Sequence, residues 1–176
     1  MEACPEKRAE FNQIVANMPK DKLVYIDESG IDATDRKQRG WAKIGQVLEG
    51  KKSGKCYQRT NIIAGYVNGD TIAPLVFNGS CDTKLVVQWV RECLIKELKP
   101  GQIVIMDNAA FHKSDKIKEA IDSVGCRLLY LPAYSPDLNP IEKFWANMKR
   151  WIRSNIDLFT NLLEALICFF NAPNAS

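Results

Sequence analysis

Two short apolar runs, Leu23-Val24-Tyr25-Ile26 and Ile103-Val104-Ile105-Met106, each stop at an aspartate, Asp27 and Asp107. Runs of this length, rich in β-branched side chains, read as buried strands. A third acid, Glu142, follows the turn-rich segment Ser135-Pro136-Asp137-Leu138-Asn139-Pro140 and opens a stretch with helical apolar spacing. Both aspartates are expected where a buried strand emerges into solvent. Three carboxylates delivered from three elements, with no histidine cluster beside them, suit a hard cation such as Mg²⁺ or Mn²⁺ better than zinc.

The rest of the chain reads as α/β. A leading helix is expected over about Glu6–Asn17, then a strand Leu23–Asp27. Strands Thr60–Val67 and Thr71–Phe77 flank Asn68-Gly69, a strong hairpin signal, and a strand near Trp41–Ile44 would complete an antiparallel meander. Leu85, Val86, Trp89, Val90, Cys93 and Leu94 form one stripe of a helix over about Thr83–Leu98, stopped by Lys99-Pro100-Gly101. Strand Ile103–Met106, a helix Ser114–Val124 with Gly125 at its C′ position, and strand Cys126–Leu131 follow. A mixed sheet, with antiparallel hairpin strands and parallel strands flanked by helices, is the expected fold. The expected divisions are a helical lead-in over 1–20, a catalytic domain over 21–155 and a C-terminal helix and tail over 156–176.

Three motifs carry a resemblance that covers about Leu23 to Arg153: Tyr25-Ile26-Asp27-Glu28-Ser29-Gly30, Met106-Asp107-Asn108-Ala109-Ala110-Phe111-His112-Lys113, and Tyr134-Ser135-Pro136-Asp137-Leu138-Asn139-Pro140-Ile141-Glu142. In this order, and with 34 residues between Asp107 and Glu142, they resemble the DDE transposases of the IS630/Tc1/mariner superfamily. The resemblance implies an RNase H-like fold and a catalytic, metal-binding triad of Asp27, Asp107 and Glu142. It further implies two Mg²⁺ or Mn²⁺ ions, with Asp27 bridging them and Asp107 and Glu142 each holding one. The implied reaction is strand cleavage followed by transfer of the freed 3′-hydroxyl to target DNA at TA, in a homodimeric synaptic complex. One departure stands out: where the family often has Gly-Trp-Ala-Pro, this chain has Gly40-Trp41-Ala42-Lys43.

Each acid also has a bland reading. Asn139 as N-cap, Pro140 as N1 and Glu142 as N3 make a capping-box pattern that needs no catalysis, and strand-end aspartates are usually turn formers. Asp82 is expected to cap a helix and Asp137 to belong to the Pro136 turn. Within the last helix, Ile141, Phe144, Trp145, Met148 and Ile152 mark the buried face, while Glu142, Ala146, Lys149 and Arg153 share another stripe suited to a phosphate backbone. Asn108 and His112, the sole histidine, are assigned to supporting Asp107 or contacting DNA, because the resembling family places this pair beside its catalytic aspartate. Adjacent strand residues face opposite ways, so Asp27 and Glu28 are not expected to share a cation.

Net charge is only +3, but its distribution is uneven. From Arg36 to Arg59 eight cations, Lys51, Lys52 and Lys55 among them, face Glu49 as the sole acid, with Trp41 as a stacking group: a segment suited to DNA. At 176 residues, 46% hydrophobic and 26% charged, the chain has the composition of a globular protein. The six cysteines include no Cys-x-x-Cys pair and read as buried free thiols. Without an apolar leader or spanning stretch an intracellular protein is expected, and the resemblance implies the cytoplasm of a prokaryote, with action on the chromosome. About twenty residues precede the first catalytic strand, too few for a helix-turn-helix module, so terminal-repeat recognition is expected from a separate or frameshift-encoded polypeptide. Two rival readings are an RNase H-like nuclease of another class and an inactive DNA-binding remnant.

Overall fold

A computed structural model describes residues 4–31 and 59–172. Its centre is a five-stranded sheet in the order β3-β2-β1-β4-β5, with β1 Leu23–Ile31, β2 Thr60–Val67, β3 Asp70–Asn78, β4 Ile103–Met106 and β5 Arg127–Tyr130. β1, β2 and β3 pair antiparallel, whereas β4 lies parallel to both β1 and β5. This is the mixed RNase H-like arrangement expected. The strand expected near Trp41–Ile44 lies outside the described residues, and the meander is made by β1, β2 and β3.

The hairpin between β2 and β3 turns at Asn68 and Gly69, both in the left-handed region at φ 49° and 99°, the conformation that suits the right-handed twist of the flanking strands. β1 departs from expectation. It does not end at Asp27 but runs to Ile31, because Glu28, Ser29, Gly30 and Ile31 pair in register with Ile63, Ile62, Asn61 and Thr60 of β2. The extension depends on a partner strand about thirty residues further on in the chain.

Helices cover both faces. On one, α2 (Thr83–Trp89) passes through a π-helical turn, Val90–Leu94, into α3 (Ile95–Glu97), and α4 (Asp115–Ser123) packs beside it. Val86, Trp89, Val90 and Leu94 meet Val24, Ile26 and Val104 there. Trp89 Nε1 donates to Ala73 O at 2.8 Å and Ala73 N donates to Glu97, which holds the β2–β3 irregularity at Ala73, φ 49°. On the opposite face, α5 (Ile141–Asn155) and α6 (Leu162–Asn171) pack on Ile31, Ile62 and Ala64, while α1 (Pro5–Ala16) seats Phe11 on Tyr25, Ile105 and Leu131. Arg8 of α1 also grips both carboxylate oxygens of Asp137, at 3.0 and 2.5 Å. No described helix is long and apolar enough to cross a membrane. Among the described cysteines, all free, Cys126 is buried but Cys4 and Cys168 are exposed, a correction to the expectation of uniformly buried thiols.

Candidate active site

The parallel register of β1 and β4, Leu23 with Ile103 and Tyr25 with Ile105, sets Asp27 level with Asp107 when continued by two residues. Alternation then gives both the same face, since Leu23, Tyr25, Ile103 and Ile105 all point toward α1. Glu28 faces the other way, as expected, toward Cys81 and His112.

Glu142 arrives at the start of α5. Asn139, extended at φ −103° and ψ 102°, caps this helix through Oδ1, which accepts from Ile141 N at 3.4 Å. The reciprocal half of a capping box is missing, because the Asn139 N–H donates to Pro136 O at 2.9 Å instead of to Glu142. The exposed Glu142 carboxylate is therefore left to the solvent side, where Asp27, Asp107 and Glu142 line one open cleft of about 1020 Å³. Lys7, Glu10 and Lys113 share its walls.

His112 ties the two faces together. It is fully buried, donating from Nδ1 to Asp107 Oδ1 at 2.5 Å and from Nε2 to Glu28 Oε1 at 2.8 Å. Both ring nitrogens donate only in the imidazolium. Burial works against that charge, but the bonds to Asp107 and Glu28 outweigh it and hold the imidazole up at about 9. In turn the bond from His112, helped by the Ala109 N–H, keeps the Asp107 carboxyl below its ordinary range. The side chain has no exposure, and its contacts are with Asp107 and Glu28. Tyr130 of β5 fixes the turn that carries it, donating to His112 O at 3.0 Å. Asn108 is exposed at the cleft and donates to Leu131 O, pinning the end of β4 to the end of β5.

Asp27 differs from Asp107. Its Oδ2 accepts from Trp145 Nε1 of α5 at 3.2 Å, and no cation lies against it among the described residues. Burial foremost, then the charges of Glu142, Glu28 and Asp107, push its carboxyl up to about 7. Mutual repulsion without a counter-ion is the electrostatic state of carboxylates arranged around a place for a cation. Both bonds made by Asp107 fall on Oδ1, so Oδ2 has no protein partner among the described residues, nor does the Glu142 carboxylate have one. The donor set is all oxygen and therefore fits Mg²⁺ or Mn²⁺. Among the described residues no three acids, histidines or cysteines are already drawn together into a cage. Mg²⁺ needs only one or two protein carboxylates beside water and substrate oxygens.

Along α5 the cleft continues into a groove lined by Glu142, Ala146, Lys149, Arg150 and Arg153. Lys149 and Arg153 thus lie on one path from the acids, with Arg150 as an addition the sequence stripe had missed. Trp41, Lys51, Lys52 and Lys55 lie outside the described residues.

Residues 22–162 match the family of DDE superfamily endonucleases. A curated relative, the uncharacterized protein y4pE/y4sA of Sinorhizobium fredii (strain NBRC 101917 / NGR234), is 32% identical over 79 residues, 43% of this chain and 56% of that protein. The mariner Mos1 paired-end complex with Mg superposes with a TM-score of 0.69 at 16% identity, over 96% of this chain and 53% of that one. The Mos1 transposase catalytic domain with raltegravir and Mg gives 0.65 at 16% identity, over 99% and 87%. The chain spans about half the length of the curated relative and of the longer Mos1 chains, and nearly all of the isolated catalytic domain.

Proposed function

Because the chain belongs to the DDE superfamily endonucleases, we propose that it is the catalytic domain of a transposase of the IS630/Tc1/mariner type, cleaving DNA strands and joining the freed 3′ ends to target DNA. The observation that carries this reading is the convergence of Asp27, Asp107 and Glu142, from β1, the end of β4 and the start of α5, on one open cleft. These residues would hold two Mg²⁺ or Mn²⁺ ions. When bound, such a pair supplies activation of a water or 3′-hydroxyl on one side of a phosphodiester and stabilisation of the leaving oxygen on the other.

The chain's own side chains do the rest. His112 holds Asp107 ionised and oriented, with Glu28 behind it as counter-charge. Lys149, Arg150 and Arg153 attract the backbone of a strand lying along α5, and Lys7 and Lys113 do so within the cleft. Trp41, Lys51, Lys52 and Lys55 extend that contact in the basic segment. The Mos1 structures of similar fold are a paired-end complex with a transposon end and a strand transfer complex. By analogy this chain acts on transposon ends and target DNA, the latter at TA, as a synaptic homodimer, with end recognition from a helix-turn-helix region on the same or another polypeptide.

The test is Mg²⁺-dependent nicking of a duplex carrying the element's terminal repeats. Asp27→Asn, Asp107→Asn and Glu142→Gln should each abolish it while leaving the melting transition cooperative. A rate equal to the unmodified chain's in any variant removes that residue from the triad.

A further inference from the structure

Among the described residues two tryptophans are nearly fully buried, Trp89 and Trp145, and each satisfies its indole N–H. Trp89 does so with a backbone carbonyl, Ala73 O at 2.8 Å. Trp145 instead donates to a carboxylate, Asp27 Oδ2 at 3.2 Å, across 118 residues of sequence. At this position of α5 Trp145 is 2% exposed and meets Phe144 edge to face, centroids 5.3 Å apart. Phenylalanine would keep an aromatic ring in that contact, though a smaller one, and would lack the N–H. The N–H is chemistry beyond what packing requires.

We propose that Trp145 is a positioning residue for the cleavage site, fixing the Asp27 carboxylate and, through the helix it shares with Glu142, the separation between the two acids. An indole N–H donates and cannot accept, so it orients a carboxylate without competing for a cation. Trp145 stands three residues after Glu142, nearly one turn along α5, and the same helix thereby presents one acid to the cleft and takes hold of another on β1. The ring cannot follow if Asp27 turns away, because Phe144 and the sheet beneath α5 hold it. Asp107 is oriented by a ring N–H as well, that of His112, so each strand aspartate has its own aromatic donor from a different element.

This rests on the reading of Asp27 as a cation ligand, and the experiment separates the two. Mn²⁺ alone is titrated by calorimetry into the full chain and into Trp145→Phe, and nicking of duplex DNA is followed in both. Loss of an outer hydrogen bond to a metal ligand weakens metal affinity by about 10- to 100-fold. We expect a drop of that size in Mn²⁺ affinity and a fall in kcat with KM for the duplex unchanged. A purely structural tryptophan would lower the melting temperature and leave Mn²⁺ affinity intact, which overturns the proposal. Should Trp145→Phe fail to fold, the unmodified ¹⁵N-labelled chain decides. The Trp145 indole resonance, assigned from its contacts with Phe144, should move on adding Mg²⁺, and an indifferent resonance overturns the proposal. Absence of Mn²⁺ binding to the unmodified chain would overturn the cation site itself and this inference with it.

Discussion

His112 lies between two carboxylates on opposite faces of the sheet, 2.5 Å from Asp107 and 2.8 Å from Glu28, with no surface exposed to solvent. Removing it takes away the donor that the two acids share. His112→Ala should therefore destabilise the chain, by less than the roughly 3 kcal/mol of a fully buried ion pair because the Asp107 side chain is 45% exposed, and lower metal-dependent nicking. Urea unfolding and nicking rates check the two effects. Glu28→Gln keeps an acceptor for Nε2 and should be milder in both.

The electrostatics of Asp27 give a pH prediction with a definite sign. Its carboxyl is raised from 3.8 to about 7, so the stability it contributes to the metal-free fold is fully present below about 3.8 and is lost as pH rises through 7. His112, raised from 6.5 to about 9, acts in the same direction at higher pH. The metal-free chain should accordingly melt at a lower temperature at pH 8 than at pH 6. Asp27→Asn should remove the lower part of that slope. Because a proton competes with the cation at Asp27, Mg²⁺ affinity should climb with pH and level off above about 7. An affinity independent of pH between 5 and 8 would contradict this.

Along α5, each phosphate contact on duplex DNA accounts for about 0.9 units of slope in log affinity against log salt. Changing Lys149 and Arg153 together to alanine should flatten that slope by about 2 units, measured by fluorescence anisotropy over a salt series. An unchanged slope would return both residues to ordinary solvated surface.

Phe11 is 5% exposed on the Tyr25, Ile105 and Leu131 cluster. Phe11→Ala should cost about 3 to 5 kcal/mol, as core phenylalanine truncations do. A loss well under 1 kcal/mol in urea unfolding would mean that α1 does not rest on the sheet in solution.

Periodic features were legible from residues alone. The buried face of α5, Ile141, Phe144, Trp145, Met148 and Ile152, is legible because a spacing of three and four has one structural meaning. The β2–β3 hairpin was legible for the same local reason, and Asp82 does cap α2, accepting from Leu85 N at 2.8 Å. What escaped was non-local. The continuation of β1 past Asp27 depends on β2, the π-helical turn at Val90–Leu94 leaves no mark in the apolar spacing, and the bonds from His112 to Glu28 and Trp145 to Asp27 join residues 84 and 118 apart. The Arg8–Asp137 pair is likewise invisible until α1 is docked.

All four residues of β4 are buried, so this strand has no wet side. A strand of that kind does not encode its own alignment: sliding it by one residue against β1 exchanges one apolar contact for another and leaves burial almost unchanged, while turning Asp107 to the wrong face of the sheet. Alignment is kept instead by pins beyond the strand's end, Asn108 to Leu131 beside β5 and His112 to Glu28 of β1. The run that looks chemically least specific is thus constrained in length as well as in packing. A single-residue deletion there should yield a protein that still folds, with one of its acids facing backwards.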